Sequence, residues 1–252
     1  MRKIVFFVML LMLSARFGYA QEVNTTSTYD SRFVYWEDPN DGNSKVLNKS
    51  LFRDNWFIGF HLGGVYNWGS NYDHANVLRS IRPIGGLSLG KWLSPYVALR
   101  AQLTLAGNRG TTALHTHPTW LAGAGYLDGM FNLSNLLGGF KENRAFNLIA
   151  LLGVGGERTF NYDGIPSPNP GSHGTNIRDW YLGGRVGLQA LFRISKVWDF
   201  SLEATNSWLN NAYDGTFGIN TTDPHLNVMA GFVYRFKNHD GSPGFTYAIH
   251  DS

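Results

Sequence analysis

The feature that most constrains this chain is an alternation of period two. From Asn55 onward, apolar side chains return at every second position in eight separate segments. The clearest is 96–107, where Val97, Leu99, Ala101, Leu103 and Leu105 alternate with Ala98, Arg100, Gln102 and Thr104. Strict alternation puts the two sets on opposite faces of a β-strand and is incompatible with a helix. The segment 55–67 repeats it, with Trp56, Ile58, Phe60, Leu62 and Tyr66 set against Gly59, His61 and Gly63. In 80–92, Ile81, Leu87 and Leu89 oppose Arg82, Gly86, Ser88 and Gly90. In 119–133, Leu121, Leu127, Phe131 and Leu133 oppose Tyr126, Asp128, Met130 and Asn132. Segment 145–158 is less pure, because Ile149 and Leu151 fall on the face that carries Asn147 and Glu157. Segments 178–193, 198–209 and 225–236 restore the contrast, with Arg185, Glu203 and Arg235 on their polar faces.

The connections alternate in length. Turn-rich stretches 68–79, 108–118, 159–177 and 210–224 are long, whereas Leu93-Ser94-Pro95 and Ser195-Lys196 are tight turns. Ser134–Arg144 is longer than its short neighbours. An even number of antiparallel strands joined by alternately long and short connections predicts a transmembrane β-barrel with long extracellular loops and short periplasmic turns. Both ends of the barrel then lie in the periplasm.

Composition decides between a membrane barrel and a soluble one. Residues 1–20 open on Arg2 and Lys3, continue through the apolar run Ile4–Leu13 and close on Gly18-Tyr19-Ala20, the parts of a cleaved secretory signal. Removing Arg2, Lys3 and Arg16 with that signal leaves 18 Lys and Arg against 18 Asp and Glu. The formal charge of +3 therefore vanishes in the exported chain and gives no electrostatic footprint for nucleic acid. No cysteine is present, so no disulfide or lipid-modified cysteine is expected. The expected organisation is a signal at 1–20, a polar extension at 21–54, a barrel at 55–237 and a tail at 238–252. In the extension, one short cluster, Phe33-Val34-Tyr35-Trp36, is apolar enough to dock.

The polar faces carry mostly Gly, Ser, Thr and Gln, while the apolar faces are large and uninterrupted. An outward apolar band around a polar bore satisfies both facts. Eight strands leave a bore only wide enough for side chains to fill. Charges inside it must pair, since an isolated buried charge is costly. The candidates are Arg82, Arg100, Asp128, Arg185, Glu203 and Arg235, with Asp128 and Glu203 surrounded by arginines. Aromatic residues sort toward strand ends. Trp56, Trp92, Tyr96, Phe131, Trp198 and Phe236 fall beside the short turns; Tyr66, Trp68, Trp120, Trp180, Trp208 and Tyr213 fall beside the long loops. Two such girdles are expected at the two membrane interfaces.

Several stretches resemble one family. They are Asp54-Asn55-Trp56-Phe57-Ile58-Gly59, Leu89-Gly90-Lys91-Trp92-Leu93-Ser94-Pro95, Phe131-Asn132-Leu133-Ser134-Asn135, Gly138-Gly139-Phe140-Lys141-Glu142-Asn143-Arg144 and Ala230-Gly231-Phe232-Val233-Tyr234-Arg235-Phe236. Together they resemble the OmpA-like barrel proteins of the Bacteroides and Porphyromonas group, over about residues 54–237. The resemblance implies an eight-stranded barrel in the outer membrane of a Gram-negative bacterium and no catalytic residues. Many relatives continue into a peptidoglycan-binding domain; only 16 residues follow Phe236 here, so cell-wall tethering is not expected.

Other chemistry is weakly signalled. His115-Thr116-His117 is a two-ligand pattern without a completing carboxylate or cysteine. Ser70, His74 and Ser80 form no outward nucleophile–base pair. Gly153-Val154-Gly155-Gly156 lacks the following helix that a phosphate cradle needs and reads as strand flexibility. No enzyme, metal or cofactor is expected. The expected partners are outer-membrane lipids and lipopolysaccharide, and the barrel assembly machinery, which would read the alternating aromatics of the last strand. The expected role is structural or interactive in the cell envelope; the alternatives are a narrow porin-like channel and a surface adhesin or envelope-complex subunit.

Overall fold

A computed structural model describes residues 33–35, 46–48, 50–67, 81–109, 119–163, 180–209 and 223–247. The signal at 1–20, most of each long loop, Trp36, Trp68, Ser70, His74, Ser80, His115, His117 and Tyr213 lie outside the described residues.

Two short strands, β1 (Phe33–Tyr35) and β2 (Val46–Asn48), pair antiparallel with each other. Eight strands then follow: β3 (Trp56–Asn67), β4 (Arg82–Trp92), β5 (Val97–Arg109), β6 (Thr119–Asn132), β7 (Phe146–Asp163), β8 (Trp180–Arg193), β9 (Trp198–Leu209) and β10 (Asp223–Arg235). Each pairs with its neighbours in sequence, and β10 closes on β3, so the sheet is a complete barrel. Closure removes the free edges that an open sheet would present to lipid. Four-residue connections, 93–96 and 194–197, mark one end, which we call the turn end; the other is the loop end.

The alternation read from the sequence is the in–out alternation of this wall. Leu62, Leu103, Leu127, Val154, Leu182 and Val228 are exposed on the outside, and beside them in sequence His61, Gln102, Tyr126, Asp128, Gly153, Tyr181, Asn227 and Met229 are buried inside. A soluble protein would hide such a band, whereas a bilayer covers it.

Three local expectations change. First, β7 runs to Asp163, so 159–163 belong to a strand and not to the loop 159–177; the pairing with β6 is irregular between Thr119 and Leu121. Second, the connection 133–145 contains a short helix, α1 (Leu133–Gly138). Asn132 caps it, its side chain accepting from the Asn135 amide at 3.0 Å. Leu133, read as a strand residue, therefore starts a helix. Third, the bore is not polar throughout. Phe57, Ala98, Met130, Ile149, Leu151, Leu191 and Val233 form a buried apolar cluster toward the turn end, and Val65, Ile84, Ala106 and Met229 form another toward the loop end. Ile149 and Leu151, which blurred the alternation of β7, face inward and belong to the first cluster.

The seam between β10 and β3 depends on a small residue. Gly231 stands opposite His61, and a Cβ on it would lie 1.9 Å from the Phe60 carbonyl oxygen. No rotamer relieves a clash with backbone. Gly231→Val is expected to prevent closure and to abolish the heat-sensitive fast-migrating band on gels, whereas Gly244→Ala, with nothing within 4 Å, leaves that band unchanged.

Candidate functional site

Polar inward positions at mid-strand gather into one ionic core. Arg100 on β5 donates to Asp128 on β6 through Nε at 2.8 Å, and through both terminal nitrogens to Glu203 on β9, at 2.5 and 3.1 Å. Arg185 on β8 grips Asp128 with two further bonds of 2.7 and 2.6 Å. The Arg100, Asp128 and Glu203 side chains have no solvent exposure and Arg185 has 1%. Two positive and two negative charges thus cancel inside the bore. Gln189 and Gln102 donate to the Glu203 carboxylate, completing its shell, and Gln189 also donates to Ser201. Such satisfaction is what a buried charge requires.

The order of strands in the barrel gives this core its mechanical meaning. β5 and β9 stand four strands apart in a ring of eight, so Arg100 and Glu203 reach each other across the full bore. Asp128 and Arg185 flank β7 and meet over Gly153. A Cβ there would lie 2.2 Å from an Asp128 carboxylate oxygen and 3.1 Å from Arg185 Cγ. The glycine therefore serves side-chain clearance as well as strand bending.

The chain of contacts continues toward the loop end. The Arg185 guanidinium lies over the Tyr126 ring at 4.2 Å. The Tyr126 hydroxyl donates to Glu157 at 2.8 Å, and His225 Nε2 is 2.9 Å from the same carboxylate oxygen. The alternation puts Tyr126 and Glu157 on inward faces, and strand register joins them to the core.

Two of the six expected charges lie elsewhere. Arg235 pairs with Asp199 at 2.6 Å near the turn end, where Arg193 also approaches Asp199 at 3.6 Å. Arg82, on the first row of β4, sits opposite Val65 at the loop end, away from Asp128 and Glu203. The network is thus resolved into a central tetrad and a separate Arg193–Asp199–Arg235 cluster. Strand position, which sets depth in the bore, separates them.

The turn end carries a clasp that the extension and tail build together. Buried Asp54 accepts from the Leu51 amide at 2.7 Å, the His239 amide at 2.9 Å and His239 Nδ1 at 2.8 Å. Asn55, held at φ 62°, donates from its backbone to the Asn238 side chain at 2.7 Å. Lys91 Nζ caps the Phe52 and Asp54 carbonyls. Farther along, Asn48 bonds Thr246 twice and Leu47 bridges Tyr247. The end of the polar extension, from Leu47 to Asn55, is therefore joined to the tail by hydrogen bonds, while β1 pairs with β2. Behind this clasp lies a cavity of about 370 Å³, whose lining includes Asn132, Arg193, Asp199 and Arg235 and, from the tail, Pro243 and Phe245. Among the described residues no three His, Asp or Glu side chains gather as a metal site.

The expected girdle residues divide. Trp198 and Phe236 are exposed at the turn end, and Trp56 and Phe131 share the outward face there. Tyr96 lies in the four-residue turn before β5 and is partly buried. Trp92 is a correction: its position on β4 faces inward, and it packs against the lumenal cluster beside Phe57 at 6.4 Å. At the loop end Trp208 is exposed and Tyr66 is half-buried on the outward face; Trp120 and Trp180 belong to strands whose side chains there lie outside the description. One row was not anticipated. Phe146, Phe192, Phe200, Phe232 and Phe60 stand opposite one another on consecutive strands, the first four in ring contact at 5.1 to 6.3 Å. Registers between strands, invisible in any one segment, align them.

A closed barrel with an apolar outside and an ion-paired inside defines an outer-membrane β-barrel protein. Its homologues are Outer membrane protein 41 of Porphyromonas gingivalis, 30% identical over 208 residues, and Outer membrane protein 40 of the same organism, 32% identical over 169 residues. These matches cover 77% and 64% of this chain and 50% and 42% of the relatives, so the chain spans about half the length of the curated relatives it matches. No protein-family model matches the chain. Among solved structures, Neisserial surface protein A overlaps 73% of this chain and 98% of its own at 10% identity and a TM-score of 0.42. The outer membrane protein OprG of Pseudomonas aeruginosa overlaps 71% and 94% at 16% identity and a TM-score of 0.43.

Asp128→Ala leaves Arg100 and Arg185 facing each other without their shared carboxylate. It is expected to cost about 3–5 kcal/mol, read by urea unfolding in lipid vesicles, with Asp128→Asn recovering part of the loss. The clasp has a pH dependence of definite sign. Burial pushes the Asp54 carboxyl up, but the hydrogen bonds from Leu51 and His239 and the histidine charge outweigh it and hold the group below the ordinary carboxylate range. A depressed carboxyl stabilises the fold above its unfolded value and loses that contribution as pH falls through its folded one. Protection of the His239 amide against hydrogen exchange, taken relative to the intrinsic rate at each pH, is expected to be high at neutral pH and to fall in strong acid. Asp54→Ala lowers that protection at neutral pH and removes its acid dependence.

Proposed function

We propose that this protein is a non-conducting structural and interaction element of the outer membrane, a closed barrel that holds its long loops (68–81, 110–118, 164–179 and 210–222) at the cell surface. The observation that carries this reading is the filled bore. Arg100 and Glu203 meet across its centre with no solvent exposure. An apolar cluster lies on either side of that pair along the axis. An ion path needs a continuous wetted lumen, and a dry apolar constriction opposes wetting. The clasp at the turn end adds a further layer over the same axis.

The wall supports the partners. The exposed aliphatic band suits lipid, and the aromatic rings at its borders suit the interfaces with lipid headgroups and lipopolysaccharide. Phe232, Tyr234 and Phe236, outward on and just after the last strand, are the features by which the assembly machinery would recognise this barrel.

Planar-bilayer recording of the refolded chain tests the reading. Silent bilayers are expected from samples whose heat-sensitive gel mobility shows a folded barrel. Discrete steps whose size changes in Glu203→Gln would replace this reading with the narrow-channel one. Shortening 164–177 is expected to leave barrel mobility unchanged, and to abolish cell-surface adhesion if that loop is the binding element.

A further inference from the structure

The lipid-facing wall is not uniformly covered. Across β5 to β8, Leu103 stands beside Gly125, Gly125 beside Gly156, and Gly156 beside Leu182. Outward Gly125 leaves the backbone of β6 bare between leucines, and the partly exposed Gly155 and Gly183 line the same depression, while Gly156 is buried. The row nearer the turn end supplies Ala101, Leu127 and Val154. The result is an open groove of about 620 Å³ lined by Ala101, Leu103, Gly125, Leu127, Val154 and Leu182. Its rims stand clear of the wall: Leu103, Leu127 and Leu182 are each 66% exposed and Val154 is 68% exposed. One row toward the loop end, Arg158 lies opposite Gly123 and is exposed on the outer side of β7.

We propose that this groove holds one phosphate-bearing membrane lipid, an acyl chain lying on the glycine floor and the phosphate meeting Arg158. The proposal rests on the membrane reading above and names a partner for one part of that wall. Three observations favour a lipid over other occupants. The groove is continuous with the apolar band that lipid already covers. Its walls are aliphatic and its floor is backbone, which suits a thin flexible chain. Among the described residues its neighbouring charge is the cation of Arg158, at the end nearer the membrane interface, where an anionic headgroup belongs. A second copy of the chain fits worse. A two-fold contact through this patch would bring the two copies of Arg158 together.

The test uses the full refolded chain and native mass spectrometry from detergent, with phosphatidic acid and diacylglycerol of identical chains as probes. The wild type is expected to retain a single phosphatidic acid, about fivefold over diacylglycerol. Gly125→Leu fills the groove, where the nearest atom to an added Cβ is a Leu103 methyl at 3.4 Å, and is expected to lose retention of both probes. Arg158→Gln is expected to bind both equally. Gly85→Leu, an outward glycine on β4 beyond the groove, is expected to behave as wild type. Unchanged retention in Gly125→Leu, retention of many lipids without preference, or cross-linking of two copies through Leu127→Cys would each overturn the proposal. Vesicle insertion and heat-sensitive mobility are read on the same samples. A chain that fails to insert overturns the membrane reading, whereas one that inserts without selective retention overturns only the lipid site.

Discussion

The bond between Arg100 and Glu203 spans the barrel from one wall to the opposite one, and much of the interior is arranged around it. A guanidinium and a carboxylate taken out of water lose several kcal/mol of hydration each, so the pair persists only with complete satisfaction. That condition recruits Asp128 to the free side of Arg100, Arg185 to the free side of Asp128, and two glutamines to Glu203. It also explains Gly153, since a side chain there would occupy the space where Asp128 and Arg185 meet. The tetrad is neutral as a group, which lets it sit between two apolar layers without a compensating ion.

The layering inverts the usual globular plan only in part. Outside, a bilayer replaces water and the apolar face needs no protein cover. Inside, the bore behaves as a small protein core with a polar middle. Phe57, Met130, Ile149 and Leu191 close it toward one end much as they would close a soluble interior. Trp92 shows how the two environments compete for one residue type. A tryptophan at a strand end is equally suited to an interface girdle or to a bore, and its parity on β4 sends it inward.

At the turn end the barrel is finished by chain that is not barrel. Asp54, Asn55, Asn238 and His239 lie at the two junctions where the chain enters β3 and leaves β10, and closure brings those junctions together. A left-handed asparagine at Asn55 costs conformational energy, and the bonds to Asn238 and Ser50 offset it. The clasp therefore reinforces the seam between the first and last barrel strands, the joint between two strands that are not consecutive in the chain.

The sequence by itself determined the strand number, the facing of nearly every residue in the wall and the membrane setting, because a period of two is a local property and each segment carries it independently. It also identified Arg100, Asp128, Arg185 and Glu203 as inward charges that must pair. What it could not assign was depth. Which charges meet depends on the stagger between strands, so Arg235 and Arg82 read like members of the tetrad until register placed them near opposite ends of the bore. The phenylalanine row, the glycine floor of the outer groove and the clasp share that dependence. Each joins residues far apart in sequence, and only closure of β10 on β3 in one register decides that they touch.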